Sequence, residues 1–197
     1  ETVQAMFGPQ ADFLTVNERA PTLGRVVDGL INQYADSNER RDREARLLTR
    51  KLLYGHGLNQ SRATLVAVKR LKLDVVRQLR DDHGSWACAN FLREMALPDH
   101  VDLSSPLLDR ENELMRQMID RLDEHMLKAE AVPDRSVSID GRTIQAVQND
   151  SGLDHQALDK ALNGKGNDIE TCAAITALMA HVLAREGDYA RELLEIL

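Results

Sequence analysis

Between Ser105 and Pro133, apolar residues recur with the spacing of one helix face, and this stretch constrains the fold more than any other. Leu108, Met115 and Leu122 stand seven apart, as do Ile119 and Met126, with Met118 between the two rows. Such a pattern describes a helix of several turns whose seam is buried against other helices. Ser105 followed by Pro106 reads as an N-cap with proline at the first helical position, and Pro133 closes the run. Met115, Met118 and Met126 have two readings: core packing, or an adaptable groove for a partner helix.

The rest of the 197 residues is also composed for helices. Eleven Gly, five Pro and only three Phe, three Tyr and one Trp leave long stretches of Leu, Ala, Arg, Glu, Gln and Met, the good helix formers. Leu23, Val26, Val27, Leu30, Ile31 and Tyr34 predict an amphipathic helix over 22–35 with Thr22 as its N-cap. Further helices are expected from Ser37 or Asn38 to Tyr54, and over 61–79, 85–96, 142–149, 154–163 and 169–185, with a terminal one from Asp188. Residues 1–20 are weakly patterned and read as a partly irregular arm docked through Phe7, Phe13, Leu14 and Val16. The stretch VPDRSVSIDG over 132–141 breaks the helical period and is the best candidate boundary. The expectation is an all-α fold: a helical bundle with its N-terminal arm over 1–131, and a smaller C-terminal helical subdomain over 142–197.

No run approaches the roughly 18 apolar residues of a membrane-spanning helix. The chain starts at Glu1 rather than Met, as a processed or excised chain does. Cys88 and Cys172 are too far apart for a CxxC pair or a four-ligand zinc site, so they form either two buried thiols or one long-range disulfide. A free pair points to the cytoplasm and a bridge to a periplasmic or secreted protein.

Charge is unevenly distributed. The net charge is -7, yet residues 39–80 carry 12 basic against 4 acidic residues, while 81–197 carry 11 against 23. At about 100° per residue, Arg62, Lys69 and Arg80 fall within about 20° of one another, with Arg70 and Arg77 flanking them. Arg43, Arg46 and Arg50 form a similar stripe on the preceding helix. Such stripes suit an acidic protein partner, nucleic-acid phosphates or anionic lipid, unless they are solvated or paired internally, as the i, i+4 pairs Glu39–Arg43 and Asp42–Arg46 suggest. Val66 and Leu73 lie within the arc of the later stripe, so part of that face is expected to be covered. On the long helix, Asp109, Glu113, Asp120, Asp123 and Glu124 read as a solvated outer side.

Templates for chemistry fail on spacing. The histidines at 56, 83, 100, 125, 155 and 181 include no pair four apart and none with Glu three residues before it, so neither HExxH nor the ExxH of di-iron bundles is present. Asp99, His100 and Asp102, and the neighbours Glu124 and His125, read as ordinary polar residues. There is no GxSxG elbow, phosphate loop or GxGxxG fingerprint. Cys88, beside Trp86 and Phe91, reads as a buried structural thiol, not an activated one. No catalytic residue, metal ligand or cofactor is therefore assigned.

The stretch SGLDHQALDKALNGKGNDIETCAAITALM, residues 151–179, resembles the second half of a phage-repressor-type helix-turn-helix of the antitoxin-like branch. The resemblance implies a first helix over 143–149, a turn at Gly152, a recognition helix over 155–162, a turn over 163–167 and a supporting helix over 169–179. It also implies that His155, Gln156 and Lys160 approach bases or phosphates. The expected function is recognition of another macromolecule without chemistry, through a protein partner or self-association, with DNA binding by the C-terminal unit as the alternative.

Overall fold

A computed structural model describes all residues except 55–60, 96, 99, 129–137, 186 and 197, and of His125, Lys128, Asp188, Tyr189 and Ile196 it gives the helical backbone without side-chain detail. Among the described residues the fold is all-α, with eleven helices and no strand. The chain divides into two compact units, one formed by residues 1–59 and 104–133, the other by 60–103 and 134–197. The expected boundary at 132–141 falls largely outside the described residues. Residues 60–103, expected in the first bundle, belong to the second unit.

The first unit contains α1 (Thr2–Phe7), α2 (Phe13–Arg19), α3 (Pro21–Gln33), α4 (Asn38–Tyr54) and α7 (Ser105–Lys128). The expected irregular arm is two short helices, and of its four anchors Phe7 and Val16 are buried, Phe13 is half-buried and Leu14 is exposed. Helix α7 supplies the predicted seam: Met115, Met118, Ile119 and Leu122 are buried against α1, α3 and α4, with Leu108 and Met126 half-buried. Met115 and Met118 are therefore core residues, not the floor of an open groove.

Thr22 does not cap α3. The helix starts at Pro21, and the N–H groups of Thr22 and Leu23 both donate to Asp123 Oδ1 of α7, at 2.6 and 3.0 Å. Asp123 is thus buried, 8% exposed, instead of riding the solvated side. Its negative charge neutralises two of the orphan donors that every helix start presents.

The second unit contains α5 (Arg62–His83), α6 (Ser85–Leu92), α8 (Gly141–Ser151), α9 (His155–Leu162), α10 (Asp168–Leu183) and α11 (Asp188–Ile196). Helix α6 stops short of its expected end at 96, and Glu94 follows it with φ 56°. Helix α10 packs against all five others. It buries Cys172, Ala174, Ala177, Leu178, Met179 and Val182, and opens with a reciprocal capping box between Asn167 and Glu170. Leu65, Val147, Leu158, Ala161, Leu193 and Leu194 complete the core around it.

Cys88 of α6 and Cys172 of α10 form a disulfide, which resolves the choice left open by their spacing. Both are buried. The cross-link spans 84 positions and ties two helices that already pack together. Arg93 adds a polar clasp to the same junction, binding Asp168, the Gly166 carbonyl and Thr171 Oγ1 at 2.6, 3.1 and 3.2 Å. Gly166 must stay small, since a Cβ there would lie 2.7 Å from the Ala161 backbone.

Two stability changes are expected. Reduction, or the pair Cys88→Ser and Cys172→Ser, should lower the urea unfolding free energy by roughly 4 to 5 kcal/mol in the chain-entropy model for a loop of this length. An unfolding curve unmoved by reductant would show that the bridge is absent in solution. Asp123→Ala should cost about 1 to 3 kcal/mol, because it strands two N–H groups at the buried start of α3.

Candidate functional site

The continuous basic segment is divided between the units, α4 in the first and α5 in the second. On α5 most of the circumference is covered by α6, α10 and α11, and the residues left in water are few. Arg70 and Arg77 stand in the middle of the exposed strip, and Arg62 and Arg80 emerge at its two ends. Arg80 pairs with its neighbour Asp81 at 2.8 Å. Arg62, Arg70 and Arg77 make no hydrogen bond or ion pair with another described residue.

Lys69 is not part of this surface. It is 2% exposed, and Lys72, one turn further on, is 8% exposed. The physical reason lies in the spacing: Leu65, Lys69, Lys72, Val76 and Leu79 follow the 4-3-4-3 rhythm of the buried stripe, so both lysines stand at core positions. The covering anticipated from Val66 and Leu73 is supplied by this packing: Leu73 is buried and Val66 lies against the core. Burial is the main cause that brings the Lys69 ammonium down to about 7, helped by the like charge of Lys72 and opposed by Glu94. Burial likewise brings Lys72 down to about 8, again opposed by Glu94.

On α4, Arg43 and Arg46 are exposed and Arg50 is largely covered. The expected Asp42–Arg46 pair does not form, and Arg46 makes no hydrogen bond or ion pair with a described residue. Arg46 and Arg50 line a cavity of about 120 Å³ between α1, α4 and α7, together with Gln4, Ala5, Thr49, Leu108, Glu111 and Asn112. Glu111 is the buried anion of this wall, 5% exposed. Its Oε1 accepts from the Tyr54 hydroxyl at 2.7 Å and lies 3.6 Å from Arg50 Nε. Burial first, and then the Glu111 charge, push the Tyr54 hydroxyl well above its ordinary value, which keeps it a donor.

Sequence reasoning passed over Glu111, but its position carries a signal. Leu108, Glu111, Met115, Met118 and Leu122 are spaced 3-4-3-4, so the carboxylate occupies a seam position on α7.

In the second unit, His155, Gln156 and Lys160 are exposed on one side of α9, opposite the buried Leu158 and Ala161. Gly152 ends α8 in the left-handed conformation at φ 70°, where a side chain would be strained. Asp154 accepts from the Ala157 N–H as the N-cap of α9, and Asp159 accepts from the Asn163 amide. Helix α10 packs on both α8 and α9.

Asp99 lies outside the described residues, as does the His125 side chain. Among the described residues no group of three or more His, Cys, Asp or Glu side chains is placed to hold a metal ion. No helix among them is long and apolar enough to cross a membrane. Comparison with protein-family models, curated proteins and solved structures finds no match to this chain.

The buried lysines make stability depend on alkaline pH. The unfolded chain keeps both protonated up to about 10.5, whereas the folded chain releases them at about 7 and about 8. Across that interval the unfolded state binds more protons, so stability should rise with pH from about 7 towards 10. Denaturant unfolding at a series of pH values should show this rise in the native chain and a flattened one in Lys69→Met/Lys72→Met.

Proposed function

We propose that this chain acts by recognising another macromolecule, an acidic protein surface, and has no catalytic role of its own. The observation that carries this is the exposed strip of α5, where Arg62, Arg70 and Arg77 stand in water with no partner among the described residues. Helix packing fixes the backbone that carries these arginines, and their planar forks match carboxylates in bidentate fashion. Arg70 and Arg77 are seven residues apart, about 10.5 Å along the axis at the usual helical rise. That spacing suits carboxylates placed seven apart on a partner helix.

DNA binding through α8 and α9 is a second proposal, supported by the Gly152 turn and by the exposed row of His155, Gln156 and Lys160. Two observations favour the protein partner. The α8–α10 segment brings few cations to this face, and the Cys88–Cys172 bridge suits an oxidising compartment better than one holding DNA.

Charge reversal decides between them. A partner captured by cross-linking on the native chain should be acidic at its contact site and should be lost, by at least tenfold in yield, with Arg62→Glu/Arg70→Glu/Arg77→Glu. Retention by this variant would remove the proposal. Duplex DNA titrated by fluorescence anisotropy should give no salt-sensitive affinity; binding that weakens steeply with salt and with Lys160→Glu would establish DNA recognition instead.

A further inference from the structure

The cavity between α1, α4 and α7 is built like a small anion site, and we infer that it binds a small monoanionic carboxylate. Three side chains in its wall have donors and no partner among the described residues: the Arg46 guanidinium and the Gln4 and Asn112 amides. Arg50 stands one turn from Arg46, and residues at i, i+4 share a helix face with their Cβ atoms about 6 Å apart. Among the lining residues two cations, Arg46 and Arg50, stand against one carboxylate, Glu111. A monoanion completes that balance, whereas a dianion would meet Glu111 at close range.

Geometry limits the ligand further. At about 120 Å³ the cavity is below the roughly 300 Å³ where cofactor and drug-sized pockets begin, so it takes an anion of a few heavy atoms. Ala5 and Leu108 give part of the wall an apolar surface, which suits a short aliphatic chain behind the carboxylate. Glu111 has a positioning role here. Held by the Tyr54 hydroxyl, it lies beside Arg50 and biases how that guanidinium is presented.

The test is a titration of the full chain with propionate, and separately with inorganic phosphate, at constant ionic strength set by chloride and followed by amide chemical shifts. Propionate should give saturable shifts confined to residues around 4, 46, 50, 111 and 112. Arg46→Gln, at an exposed position, should weaken binding at least tenfold, and Gln4→Ala should weaken it several-fold while the remaining spectrum is unchanged. Glu111→Gln should bring phosphate binding up relative to propionate. Shifts reproduced by chloride alone, phosphate bound more tightly than propionate by the native chain, or full affinity in both Arg46→Gln and Gln4→Ala would overturn the assignment.

Discussion

Helix α10 has to be covered on every side. From Cys172 to Leu183 its only polar side chains are Thr176 and His181, and a helix apolar around its circumference cannot sit on a surface. Five helices therefore converge on it, and the organisation of the second unit follows. Helices α5 and α6 take one part of its circumference, α8 and α9 another, and α11 closes over the core that α5 also lines. The Cys88–Cys172 bridge and the Arg93 clasp secure the α6 contact, one covalently and one through a charged fork reaching the start of α10.

Covering helices in this way brings charges inside as well as apolar groups. Lys69 and Lys72 stand on the buried stripe of α5, and Glu111 and Asp123 on the covered side of α7. Each meets a different fate. Asp123 is satisfied by two N–H groups at the start of α3, and Glu111 by a tyrosine hydroxyl and an arginine. The lysines meet the opposing charge of Glu94 and still have their ammonium groups pushed towards neutrality, because desolvation outweighs that attraction. Burial of charge is costly, so these positions hold the electrostatic detail of the protein.

What remains outside is correspondingly simple. The exposed strip of α5 is narrow, and arginine dominates it because the larger part of the helix is committed to packing. The same selection acts on α4, where Arg50 is drawn into the α7 contact while Arg46 stays at the cavity mouth. A net basic segment is thereby separated into an exposed arginine strip on one unit and residues lining a small cavity on the other.

The all-α class and nearly every helix were legible in the chain, since capping residues, prolines and 3.6-residue periodicity are local signals. Ser61, Asp140, Asp154 and Asn167 cap the helices they precede, and Pro21 and Pro106 mark the first turns of theirs. The basic stripes were legible as sequence, but Lys69 and Arg70 are neighbours there and only packing makes one a core residue and the other a surface one. Glu111 and Asp123 were hidden among charged neighbours for the same reason: a carboxylate in a seam position becomes informative once the donor opposite is known. Local sequence thus determined the helices and their apolar faces. The tertiary structure decided the pairing of Cys88 with Cys172, the assignment of residues 60–103 to the second unit and the fate of each charge. Those outcomes depend on groups far apart in the chain, which only packing brings within a few ångströms.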